Sequence, residues 1–154
     1  MSERNEGKKR MALRILRETR ALLNRPGVWV KGTYATHGPS PENPKETIGQ
    51  FCLVGGLEHT TGLIAETFNE KAARAKKEET ADKYLDLVKE AWDAKWFARG
   101  LVWEEVGKVY TRDYLRIEEF NDRDETTKKD VLSVLDKAIL KLNFNSASCT
   151  KAAD

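Results

Sequence analysis

The chain has 154 residues, 40% of them hydrophobic and 34% charged, with 27 basic and 25 acidic side chains. That length supports one core of ordinary size, the composition excludes both a disordered and a membrane-spanning chain, and a net charge of +2 excludes a global field that draws a protein onto nucleic acid. Two cysteines, Cys52 and Cys149, are too few for a disulfide framework. Met1 to Arg10 is too charged for a signal peptide, so a reduced, cytoplasmic setting and no membrane contact are expected.

In chain order, Ala12, Ile15, Leu16, Thr19, Leu22 and Leu23 recur at helical spacing until Pro26-Gly27 ends the pattern, which predicts a first helix. Its solvent side carries Arg10, Arg14, Arg17 and Arg20, a solvated face or a phosphate-touching one. Val28 to Ala35 is β-branched and aromatic and predicts a short strand or an extended lead-in. Thr36 to Pro44 holds three prolines and a glycine and reads as a loop. Asn43-Pro44-Lys45-Glu46 has the form of a helix start, with an N-cap, a proline at the first position and an acid three residues on. The helix it opens carries Ile48, Phe51, Cys52 and Gly55 on one face, with Cys52 two turns in.

Leu63 to Glu79 and Ala81 to Arg99 predict two more helices, with Trp92 and Trp96 at core spacing in the second and Gly100 as its stop. Leu101 to Phe120 has no clean period. After Asn121-Asp122, Thr127 and Asp130 form a box-like cap on a last amphipathic helix through Val131, Leu132, Leu135, Ala138, Ile139 and Leu142. The expected fold is mainly α, a compact bundle of about five helices with one short strand or hairpin, as a single domain over residues 1–142 and a polar tail over 143–154.

The common signatures are absent: no P-loop, no dinucleotide-binding glycines, no Cys-x-x-Cys, no His-Glu-x-x-His, no Gly-x-Ser-x-Gly. His37 and His59 are the only histidines, so neither a metal nor a cofactor is expected. Cys52 is the one residue whose type invites nucleophilic chemistry, with His37 or His59 as base and Asn121 as orienting group. A mid-helix cysteine on an apolar face more commonly packs as a small hydrophobe. Gly55-Gly56 cost about 1 kcal/mol each relative to alanine inside a helix, so a close approach by a neighbouring helix or by a ligand is expected there. Trp29, Trp92, Trp96 and Trp103 stack on bases in one reading and fill a core in the other.

The order Trp29-Val30-Lys31-Gly32, Phe51-Cys52-Leu53 with Gly55-Gly56-Leu57, Phe120-Asn121-Asp122 and Leu135-Asp136-Lys137-Ala138-Ile139 resembles a domain family of unknown function found in tailed phages and actinobacteria. Members tend to read Trp-Cys-x-Gly early, Trp-Cys-x-x-Gly-Ala-Leu in the middle and Trp-Asn-Asp before the last helix. This chain departs at Val30, Phe51, Gly56 and Phe120, and the missing early cysteine argues against paired-thiol chemistry. The resemblance implies a phage-type accessory protein and, by analogy, a binder of a host component or small signalling molecule, nucleotide-like in one version, that counters host defence. The expected ligand surface comprises Trp29, Lys31, His37, Cys52, Gly55, Gly56, Asn121 and Asp122. The competing readings are a cysteine-dependent hydrolase or transferase using Cys52, His37 and Asn121, and a nucleic-acid-binding or structural module acting through the arginines of the first helix. Homo-oligomerisation is compatible with each.

Overall fold

Helix α1 (Glu3–Asn24) forms where the apolar spacing places it, and Met11, Ala12, Ile15, Leu16, Thr19 and Leu23 are all buried along one stripe. The computed structural model describes residues 3–110 and 116–153, with side chains from residue 5 to residue 143. Beyond α1 the chain turns at Gly27, with φ 76°. It then runs extended, and Trp29 makes a parallel bridge with Phe51, flanked by Phe51 N donating to Val28 O (2.8 Å) and Val30 N to Phe51 O (3.1 Å). Val28 to Val30 is thus the extended lead-in rather than the strand.

The strands lie later than the sequence pattern suggests. β1 (Ala35–Pro39) pairs antiparallel with β2 (Thr47–Phe51), Ala35 opposite Phe51 and Pro39 opposite Thr47, so the first half of the proline-rich segment is strand. The helix expected from Asn43-Pro44 does not form. Asn43 Oδ1 accepts from the Lys45 amide (3.2 Å) and its carbonyl accepts from Glu46 (2.9 Å), an Asx turn that closes the hairpin loop. An asparagine side chain bonding an amide two residues on looks the same at a helix start and in a turn; what decides is the next stretch, and Thr47 to Phe51 pairs with β1.

Helix α2 (Leu53–Arg74) and helix α3 (Glu78–Gly107) follow, the first beginning well before Leu63 and the second passing through Gly100, which stands exposed in mid-helix and stops nothing. Between residues 66 and 90 no side chain is buried, and Phe68 and Leu87 pack against the core from its edge. Helix α4 (Arg116–Asp122) occupies the end of the aperiodic stretch; residues 111–115 of that stretch lie outside the described residues. Helix α5 (Lys128–Ala153) opens on the expected box, with Thr127 N donating to Asp130 Oδ2 (2.9 Å) and Asp130 N to Thr127 Oγ1 (3.2 Å). The Thr127 amide bond holds the Asp130 carboxyl below its ordinary range. The backbone of the segment read as a polar tail is helical through Ala153, and the side chain of Cys149 lies outside those described.

The bundle of five helices with one hairpin agrees with the expected class. Helix α1 packs on α2, α3 and α5, and α3 packs on α1, α2, α4 and α5, around Ile15, Leu16, Leu53, Leu57, Val102, Val106, Phe120 and Leu135. The face of α3 that enters this core is not the tryptophan face. Ala91, Ala94 and Ala98 are buried at 0% exposure, because small side chains let the helices approach closely where an indole would hold them apart. Trp92 and Trp96, expected in the core, are consequently turned outward. Among the described residues no helix is long and apolar enough to cross a membrane.

Candidate functional site

Most residues singled out by motif converge on one place, where their polar atoms bind one another. Asn121, at 0% exposure, uses its whole amide. Its Oδ1 accepts from Trp29 Nε1 (2.6 Å) and the Leu53 amide (3.0 Å), while Nδ2 donates to Val30 O (3.0 Å) and Asp122 Oδ1 (3.0 Å). The same Asp122 oxygen accepts from the Gly32 amide (2.9 Å), and Gly32 has φ 76°, a backbone geometry that L side chains rarely adopt. Lys31 Nζ donates to the carbonyls of Arg123 (2.6 Å) and Asp124 (3.2 Å), capping the end of α4 with a cation. The Trp-x-x-Gly and Asn-Asp elements are therefore two halves of a clasp.

The third element closes it. Cys52 is the N-cap of α2, with φ −76° and ψ 178°, and its Sγ accepts from the Gly55 amide (3.3 Å). This corrects the placement two turns inside a helix. Tyr34 O accepts from the Cys52 amide (3.3 Å) and passes so close over Gly55 that a Cβ there falls onto the carbonyl. Gly56 N donates to Cys52 O (2.8 Å), so the first amides of α2 are taken within the chain and are not offered to an anion. The close approach expected at Gly55 is made by the Tyr34 backbone, and at Gly56 by Leu23 and Thr19 of α1.

Position at a helix start ordinarily lowers a thiol. Here burial dominates and raises it; the amides of Gly55 and Val54 oppose that, and the charges of Asp122 and Glu118 add to it. Neither imidazole hydrogen-bonds to the sulfur among the described residues. His59 stacks on Phe51 with ring centroids 4.4 Å apart, and His37 stands exposed in mid-β1 opposite Gly49. Among those residues no group of three or more His, Cys, Asp or Glu is gathered for a metal.

Three of the four arginines considered for nucleic acid have partners within the chain. Arg14 pairs with Glu18 (3.2 Å), Arg17 donates to Asn143 Oδ1 (2.9 Å), and Arg20 pairs with Asp136, whose hydrogen bond raises the guanidinium further.

What the sequence pattern missed is the outward face of α3. Trp92, Trp96 and Trp103 are 38%, 61% and 42% exposed, lie within about 40° of one another around the helix, and extend roughly 16 Å along it. Each ring carries a cation: Lys95 sits 4.1 Å from the centroid of Trp96 and 5.2 Å from that of Trp92, and Arg116 3.7 Å from that of Trp103. Lys95 pairs in turn with Glu58, and Arg99, 5.7 Å from the Trp96 centroid, with Glu118 (2.8 Å). The phenol of Tyr34, half exposed, is raised by partial burial and by the charge of Glu58, with Arg99 and Glu118 also acting on it; it borders the same face. The signal was present in sequence as Ala91, Ala94 and Ala98, a small-residue stripe on the opposite side of α3.

Residues 9–141 match the model of a family of unknown function (DUF6197). Searches of curated proteins and of solved structures found no match.

Proposed function

Given that the chain belongs to this family of unknown function, we propose that it is a non-enzymatic binding protein whose working surface is the tryptophan face of α3. The observation that carries the reading is Trp96, 61% exposed between Trp92 and Trp103. Three indoles in water on one helix face leave apolar area that burial against a partner would stabilise by about 25 cal/mol per Å². Trp, Tyr and Arg together are also the composition of interface hot spots. A protein partner fits better than single-stranded nucleic acid, because Lys95 and Arg99 already face Glu58 and Glu118 and have little charge left to neutralise phosphates.

We propose a host component as the partner class and evasion of host defence as the role, in keeping with the phage-type resemblance read from the sequence. The test is affinity capture from host lysate with the intact chain and with a Trp96→Ala, Trp103→Ala double variant, read by quantitative mass spectrometry. A protein retained by the parent and lost from the double variant supports the reading. Partners captured equally by both, or self-association alone in sedimentation, would end it.

A further inference from the structure

A second surface, separate from the α3 face, has the chemistry of a small-molecule site. A groove of about 420 Å³ runs between α1 and α2, lined among others by Leu22, Arg25, His59, Thr60, Leu63 and Ile64, a volume within the range of ligand pockets. Its floor is apolar through Leu22, Leu63 and Ile64. Three of its polar side chains, Arg25, His59 and Thr60, make no hydrogen bond among the described residues. Thr60 is only 3% exposed, yet its hydroxyl makes no hydrogen bond among the described residues, whereas the neighbouring hydroxyls of Thr61 and Thr67 donate to the carbonyls of Leu57 (2.7 Å) and Leu63 (3.0 Å). The one fully buried side-chain polar atom without a hydrogen bond among the described residues is Thr19 Oγ1, so the Thr60 hydroxyl is reached from the groove it lines and is open to a ligand oxygen.

His59 uses its ring face against Phe51 and leaves both ring nitrogens without hydrogen bonds among the described residues. The Arg25 guanidinium is likewise without a protein partner there, while Arg14, at the groove wall, is held by Glu18. The lining therefore holds two arginines against one carboxylate, a local surplus of one positive charge. The larger groove, about 980 Å³ beside Trp96, sets Lys8, Lys83 and Lys89 against Asp86, Glu90 and Asp93 and selects no sign of ligand.

We infer that the α1–α2 groove binds a small anionic molecule, a phosphate ester or carboxylate with an apolar or planar body. The anion is held by Arg25 and His59, the Thr60 hydroxyl donates to a ligand oxygen, and the body lies on Leu22, Leu63 and Ile64. The inference does not depend on the tryptophan face. No covalent step is involved.

The test titrates the intact chain with adenosine monophosphate, benzoate, inorganic phosphate and neutral adenosine, following backbone amide shifts by NMR. Adenosine monophosphate or benzoate should shift amides within residues 14–25 and 59–67, and whichever binds more tightly identifies phosphate ester or carboxylate as the preferred head group. Inorganic phosphate should bind more weakly for want of a body, and adenosine more weakly for want of a charge. Arg25→Gln, at an exposed position, should weaken binding about tenfold, and Thr60→Val should also weaken it. The inference fails if neither anion binds at millimolar concentration, if adenosine binds as well as its phosphate, if the shifts map to α3, or if Arg25→Gln leaves affinity unchanged.

Discussion

The clasp and the α3 face are opposites in how they use their residues. In the clasp, side chains of the type that usually marks a site, an asparagine, an aspartate, a lysine and a cysteine, spend their hydrogen bonds on one another and on the main chain. On α3, side chains of the type that usually marks a core are left in water with cations resting on their rings. The difference teaches that a polar motif is evidence of a site only when its donors and acceptors are unclaimed, and that the apolar stripe of a helix is set by the residues its neighbours can approach.

The sharpest way to break this contrast is at Gly55. Gly55→Ala places a Cβ on the Tyr34 carbonyl, and we expect a loss of at least about 3 kcal/mol in urea unfolding; a loss below about 1 kcal/mol would mean that the backbone crossing is not rigid. Asn121→Ala leaves the Trp29 indole and Leu53 amide unpaired in the interior and should cost about 3 kcal/mol, with ligand-independent loss of stability as the signature of a structural role.

The Cys52 thiol gives a pH test. Its folded-state value is raised by burial, so the stabilisation is fully present below the ordinary thiol range near about 8.5 and is lost as pH rises through the folded value. Stability should decline by up to about 1.4 kcal/mol per pH unit in that window, and Cys52→Ser, which keeps a capping acceptor, should flatten that part of the slope. A slope unaltered by the serine would assign the effect to other groups. Gly100→Ala, where a Cβ meets nothing within 4 Å, should stabilise by about 1 kcal/mol. Trp96→Ala should change stability least, within about 0.5 kcal/mol; a cost of several kcal/mol would return Trp96 to the fold and remove it from the surface.

Much of the scaffold was legible from local pattern. The stripe of α1, its end at Pro26-Gly27 and the box at Thr127 and Asp130 follow from spacing and capping, which neighbours do not alter. The hairpin was hidden because the Asn43 turn borrows the side-chain bond of a helix cap, and that error carried Cys52 into mid-helix. Bulk does not by itself mark burial: the alanines at 91, 94 and 98 hold the helix contact, and Trp92 and Trp96 lie outside it. The clasp was visible only as three separate motifs, and nothing local joins residues 29 and 121.

That last separation bears on how the chain acquires and gives up its structure. The Trp29 to Asn121 bond spans 92 positions, and ordering such a span costs chain entropy that near-neighbour packing such as α2 on α3 avoids. The clasp is therefore expected to close last in folding and to part first in unfolding. Substitutions at Asn121 should then accelerate the unfolding arm of a chevron plot and leave the refolding arm nearly unmoved. On this view the residues of the clasp act as a latch on the lifetime of the native chain.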